Sequence, residues 1–158
     1  MKESKKLPLR IGVGIILLNS ENKIFVGKRI DNPENFWQMP QGGVNNNELF
    51  LYAAMRELKE ETSVKSIKLI KELDGWLEYD LPNHLLGKIW KGKYRGQKQK
   101  WFIMKFLGNE SEINVKTKNP EFLDWKWIEI SDLSKVAVNF KLHIYIQLEK
   151  KLKSLNLI

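Results

Sequence analysis

Gly42-Gly43-Val44-Asn45-Asn46-Asn47-Glu48, followed after seven residues by Arg56-Glu57-Leu58-Lys59-Glu60-Glu61, decides how this chain is read. The glycine pair marks a tight backbone path. The asparagines offer N-cap chemistry, and residues 48–61 contain no Gly or Pro and many strong helix formers, so a helix is expected there. Glu57, Glu60 and Glu61 stand at i, i+3 and i+4 and share one helical face. Like charges at that spacing repel, and the helix macrodipole disfavours anions near the C-terminus. A divalent cation removes both costs. Clustered carboxylate oxygens are hard ligands, which suit Mg²⁺ or Mn²⁺ rather than zinc. Leu51, Ala54, Met55 and Leu58 make a second stripe that can pack on a sheet. Arg56 can pair with Glu60 or with carboxylates outside the helix, and so orient them. By itself, E-x-x-E-E reads as a solvated acidic face. The glycine pair, Glu48 and Arg56 at fixed offsets change that reading.

Strand-like segments flank this helix. Residues 11–18 and 23–29 are apolar runs around the turn chemistry of Asn19-Ser20-Glu21-Asn22 and read as a β-hairpin. Residues 67–73, 76–81, 101–107 and 122–130 read as further strands, the first two separated by Asp74-Gly75. Ser131-Asp132 is a candidate cap for a short helix. Asn139 is another, for a final amphipathic helix with Leu142, Tyr145, Leu148 and Leu152 on one face. Strands, helix, strands, helix imply a mixed α/β domain with helices on a central sheet. With 158 residues, a single domain spanning 1–158 is expected.

Composition limits the chemistry. The chain has no cysteine, which excludes disulfides, thiolate zinc and cysteine nucleophiles and suits a reducing cytoplasm. Two histidines, His84 and His143, are too few for a three-histidine metal site, and neither has a catalytic partner in the sequence. The basic N-terminal residues and the apolar run 11–18 lack a small-residue cleavage site, so that run is read as a strand rather than a secretory leader. No stretch approaches the roughly 20 apolar residues that span a bilayer. A formal charge of +8 favours polyanionic partners. From Asp80 to Glu110 no acidic residue intervenes, while Lys88, Lys91, Lys93, Arg95, Lys98, Lys100 and Lys105 interleave with Trp90, Tyr94, Trp101, Phe102 and Phe106. Such a segment is either a solvated Lys-rich loop or a surface for phosphates and bases, with some aromatics in the core.

Gly42-x5-Glu48-x7-Arg56-Glu57-Leu58-x-Glu60-Glu61 resembles the Nudix box, the signature of hydrolases that cleave nucleoside diphosphates linked to another group. The match runs through Glu61 and includes Val64. It departs at Ser63, where the family has glycine for a left-handed turn. Trp37-Gln38-Met39-Pro40-Gln41-Gly42-Gly43, Trp76-Leu77-x-Tyr79-x-Leu81-Pro82, Gly96-Gln97-Lys98-Gln99-Lys100-Trp101-Phe102 and Pro120-Glu121-Phe122 resemble bacterial RNA pyrophosphohydrolases and their relatives, the asymmetric diadenosine tetraphosphate hydrolases.

The resemblance implies an α/β/α sandwich with a mixed central sheet and hydrolysis of a phosphoanhydride with Mg²⁺ or Mn²⁺. It implies metal ligands at Glu57, Glu60, Glu61, Glu121 and the Gly42 carbonyl, with Glu57 as base and Arg56 orienting the carboxylates. Gln97, Lys98 and Lys100 fall near the phosphates, Phe140 on a base and Lys141 on a phosphate. Arg10 and Arg29 are further phosphate candidates. Without the resemblance Glu121 is an exposed loop acid, and Phe140-Lys141 is a helix start with a buried ring and an exposed amine. The implied substrates are 5′-triphosphate or diphosphate RNA ends, converted to monophosphate ahead of decay, or diadenosine tetraphosphate, giving ATP and AMP. No DNA or membrane partner is implied. A non-catalytic nucleotide- or RNA-binding module is the remaining alternative, and only Ser63 speaks for it.

Overall fold

A strand buried on both faces reads as a continuous apolar run, and the run ending at Leu18 forms the middle of the sheet. A computed structural model describes residues 7–31 and 34–155. In chain order its strands are β1 (Leu9–Leu18), β2 (Ile24–Arg29), β3 (Trp37–Gln38), β4 (Gln41–Gly43), β5 (Ile67–Glu72), β6 (Leu77–Asp80), β7 (Gly96–Phe106) and β8 (Phe122–Ile128). Helix α1 (Phe50–Thr62) lies between β4 and β5, and α2 (Leu133–Val136) and α3 (Leu142–Ser154) follow β8. β1 and β7 run parallel in unbroken register from Leu9↔Gly96 to Leu18↔Lys105. β5 and β6 pair antiparallel with β7, β4 and β2 pair antiparallel with β1, and β3 and β8 pair antiparallel with β2.

Period-two alternation separates two cores. Ile16, Leu18, Trp101 and Ile103 face Ile144, Tyr145, Leu148 and Leu152 of α3. Val13, Ile15, Leu17, Phe102 and Met104 face Ala53, Ala54 and Leu58 of α1. The sheet is mixed and covered by a helix on each side, which is the expected α/β/α sandwich.

Several local expectations shift. The turn at 19–22 forms as read, with Asn19 Oδ1 accepting the backbone N–H groups of Glu21 and Lys23 at 3.0 and 2.9 Å. The flanking strands pair only at Leu18↔Ile24, however, because β4 takes the edge of β1 and β8 takes β2. α1 starts at Phe50 with no side-chain cap. Asn47 instead supplies a left-handed turn residue at φ 64°, a conformation asparagine tolerates. Met55 is 40% exposed, and the buried stripe is Ala53, Ala54, Leu58, Glu61 and Thr62. The strand expected over 101–107 begins at Gly96, so the polar run 96–100 is sheet rather than loop. Ser63 adopts φ 68°, ψ 4°, the turn a glycine would make, and its Oγ donates to the Asn114 carbonyl at 2.8 Å.

Candidate active site

The acidic face of α1 is organised around one guanidinium. Arg56 Nε and Nη2 donate to the two Glu48 oxygens, each at 2.9 Å. Nη2 also reaches the Gly43 carbonyl at 2.9 Å, and Nη1 reaches Glu57 Oε1 at 2.8 Å. A planar fork makes such bidentate bonds; a lysine does not. The clamp ties the glycine strand to the helix. Glu48 is held down at about 2 chiefly by Arg56.

The three carboxylates of that face differ in environment. Glu60 is largely exposed. Glu57 is mostly covered and lies against Gly42, where any Cβ would overlap its carboxylate. Burial pushes the Glu57 carboxyl up, against the pull of Arg56. Glu61 continues the buried stripe of Ala54 and Leu58 and is 5% exposed. Its Oε2 accepts the Gln41 N–H at 3.2 Å. Burial raises the Glu61 carboxyl well above the usual range, and the negative charges of Glu57 and Glu121 raise it further.

Cations gather opposite. β2 and β8 shift register between Lys28 and Arg29, and such an irregularity re-aims a side chain. Arg29 pairs with both Asp31 oxygens at 2.8 Å and lies 3.6 Å from Glu121. Lys141 is 6% exposed, donates to Gln38 Oε1 at 3.1 Å and lies over the Tyr79 and Phe140 rings. Burial, helped by Arg29, lowers its ammonium to about 7, while Glu61 and Asp31 act the other way. Arg10 completes the set from β1. These groups line one cleft of about 910 Å³, together with Gly42, Glu57, Glu60, Glu61, Glu121 and Phe140.

Four residues read from the sequence stand apart from that lining. Arg56 acts from behind the carboxylates. Gln97 is fully buried; its Oε1 accepts the Tyr79 hydroxyl at 3.0 Å, and its Nε2 lies 3.5 Å from the Gly42 carbonyl. Gln99 donates to Gln41 Oε1 at 3.0 Å. The glutamines therefore brace the glycine strand rather than face the cleft. Lys98 and Lys100 alternate to the other side of β7, with their ammonium groups 5.0 and 5.4 Å from the Trp76 ring. The helix-start alternative for Phe140-Lys141 fails at the amine, which is the buried member.

Sequence reasoning missed Gln38, Gln41, Tyr79 and Trp90, which line the cleft, and gave no role to His84, which also does. Gln97, Gln99 and Tyr79 sit on inward faces of strands; polar residues at such positions are the signal that was available. In the sequence Trp90 is only one of several aromatics among the cations between Asp80 and Glu110, and Gln38 only part of a stretch of resemblance.

The donor set fits a hard divalent cation: four carboxylates and a backbone carbonyl, all oxygen, around a buried acid whose nearest charged neighbours include other acids. Among the described residues no three acids or histidines are already drawn together tightly enough to hold a metal. Glu57 and Glu60 instead lean on Arg56.

Comparison with known proteins gives the family. The NUDIX domain model matches residues 8–148. A Pelagibacter ubique (strain HTCC1062) protein named RNA pyrophosphohydrolase is 60% identical over 156 residues, covering 98% of this chain and 99% of that one. A Rickettsia bellii (strain OSU 85-389) protein of the same name is 46% identical over 157 residues, covering 98% of each. An E. coli dihydroneopterin triphosphate pyrophosphohydrolase superposes with TM-score 0.67 at 21% identity, covering 90% of this chain and 97% of that one. A C. elegans Ap4A hydrolase binary complex superposes with TM-score 0.65 at 21% identity, covering 92% and 99%. At that identity the two structures speak for the fold alone. A family model spanning most of the chain and relatives of such similarity leave one conclusion: the chain belongs to the Nudix family.

Proposed function

We infer that this chain is an RNA pyrophosphohydrolase, a Nudix hydrolase that converts 5′-triphosphate or diphosphate RNA ends to monophosphate and so opens transcripts to decay. The observation that carries the reading is the cleft itself. It sets the carboxylate row of α1 and Glu121 against Arg10, Arg29 and Lys141, with an aromatic ring at Phe140, in a chain 60% identical to a protein of that name. A cytoplasmic site of action belongs to the same proposal; among the described residues no helix is long and apolar enough to cross a membrane.

In this reading Gly42, Glu57, Glu60, Glu61 and Glu121 hold Mg²⁺ or Mn²⁺. When bound, the ion neutralises phosphate charge and acidifies water. The residues do the rest. Arg10, Arg29 and Lys141 hold the polyphosphate. Glu57, its carboxyl raised by burial, takes the proton of the attacking water. A new P–O bond forms, the bridging P–O bond breaks, and its electron pair leaves with the bridging oxygen. Arg56 keeps Glu57 beside Gly42. Phe140 stacks a base. Gln97 supports the Gly42 carbonyl from behind, and Lys98 and Lys100, over the Trp76 ring, lie outside the cleft lining.

Diadenosine tetraphosphate is the second reading, because the cleft carries more than one aromatic wall, with Trp37 and Trp90 besides Phe140. The test is a side-by-side kcat/KM comparison of 5′-triphosphate RNA and diadenosine tetraphosphate in Mg²⁺. RNA is expected to be preferred. Preference for the dinucleotide would transfer the assignment to the second reading, and failure on both would remove it.

A further inference from the structure

The segment between β6 and β7 contains a feature that the hydrolytic site leaves unexplained. Trp90, Lys91 and Gly92 are consecutive residues in the left-handed region, at φ 52°, 57° and 70°. For a bulky residue such as tryptophan that is an outlier. Strained backbone of this kind persists where the surroundings over-determine it, and it clusters at ligand clamps. Here the surroundings are specific. The indole packs against the α3-side core and lies edge-on to Tyr94, with ring centroids 6.2 Å apart. It lines the cleft, and the Arg10 guanidinium sits over its face, 5.1 Å from the ring centroid.

Arg10 links this ring to the reaction centre. It also abuts Gly43, where an added Cβ would overlap the guanidinium. One cation thus abuts the glycine strand and covers the indole. A phosphate in the cleft and the indole face therefore compete for the same guanidinium.

We propose that Trp90 is a nucleobase platform, distinct from Phe140, which stacks the base of the terminal nucleotide whose phosphates Arg10 holds. This rests on the polyphosphate reading of the cleft. Stacking on an aromatic ring tolerates any base, so the platform selects nucleotides over bare polyphosphate without selecting sequence. Lys91, exposed beside it, stays with solvent.

The experiment compares two synthetic 5′-triphosphate RNAs, one with a normal first nucleotide and one with an abasic first ribose, in Mg²⁺. Wild type, Trp90→Leu and Trp90→Phe are assayed. The preference for the base-bearing RNA is expected to fall about tenfold in Trp90→Leu, through KM with kcat held, and to be largely regained in Trp90→Phe. A second measurement does not depend on the leucine variant folding. In a Glu57→Gln background, base-bearing RNA should quench indole fluorescence more than abasic RNA, and Trp90→Phe should abolish the difference. An unchanged preference in Trp90→Leu, or a base-dependent difference in quench that survives Trp90→Phe, overturns the platform. Wild type that cleaves neither RNA overturns the proposed function instead.

Discussion

Two residues show how single side chains fix the site. Glu57 is covered, pressed against Gly42 and tied to Arg56. Replacing it with glutamine keeps the shape and removes the proton acceptor. Turnover is expected to fall by ~10²–10⁴-fold with the melting temperature held within a few degrees; near-wild-type hydrolysis by Glu57→Gln would reject its role as base. Ser63 poses a different balance. Its left-handed backbone costs about 1 kcal/mol relative to glycine. Its hydroxyl bond to the Asn114 carbonyl returns roughly 0.5–1.5 kcal/mol. Ser63→Gly exchanges one for the other and should leave stability within ~0.5 kcal/mol. Ser63→Ala keeps the strain and loses the bond, and should destabilise by ~1 kcal/mol. Urea unfolding of both variants checks the pair; a clearly stabilised Ser63→Gly would show that the hydroxyl contributes nothing. The departure from the box is thus accommodated at the turn, without touching a candidate ligand.

At the scale of the helix, α1 carries a conflict that a cation resolves. Burial and neighbouring acids raise the Glu61 carboxyl, and burial raises Glu57. A folded state that keeps a proton the unfolded chain has shed loses stability as pH rises through the folded value. Without metal, stability should therefore decline as pH rises above the ordinary glutamate value of about 4.3. Lys141 acts the other way, because its lowered ammonium adds stability as pH rises above about 7. The window below 7 isolates the acids. Saturating Mn²⁺ should flatten the decline. Thermal melts across that window, in chelator and in Mn²⁺, test this; identical pH profiles would deny the acids a shared cation.

The same helix shows what the sequence could convey. The i, i+3, i+4 spacing placed Glu57, Glu60 and Glu61 on one face, and the motif offsets tied Arg56 to them. Spacing alone did not say that Glu61 would fall on the seam of the buried stripe while Glu60 stayed in solvent; that depends on how α1 rolls against β1 and β7. The start of the helix was misjudged because Asn47 serves a positive φ rather than a cap. In β7, alternation decides everything: Gln97 and Gln99 turn inward, while Lys98 and Lys100 turn toward Trp76. A list of cations in a loop cannot show that, because the strand was read as beginning at 101. Trp90 could not be told from the other aromatics of its segment for a related reason, since its place on the cleft wall depends on chain that folds back from β6 toward Arg10.

Across the whole molecule, charge and shape decide how much RNA the protein senses. The net charge of +8 invites the idea of a long basic track. The structure distributes that charge differently. Arg10, Arg29 and Lys141 line the cleft, whereas Lys98 and Lys100 lie outside its lining. Binding of single-stranded nucleic acid loses affinity with salt at a slope of about −0.7 per phosphate neutralised. Three cleft cations give a slope of about −2, and adding both β7 lysines would bring it to about −3.5. A triphosphorylated trinucleotide and a ~15-nucleotide RNA should therefore share the shallower slope, because the extra nucleotides leave the cleft without meeting a second row of cations. Titrations with the Glu57→Gln protein between about 50 and 200 mM salt separate the cases. If the longer RNA alone shows the steeper slope, the surface lysines beside Trp76 carry part of the chain, and affinity, though not cleavage, extends beyond the cleft.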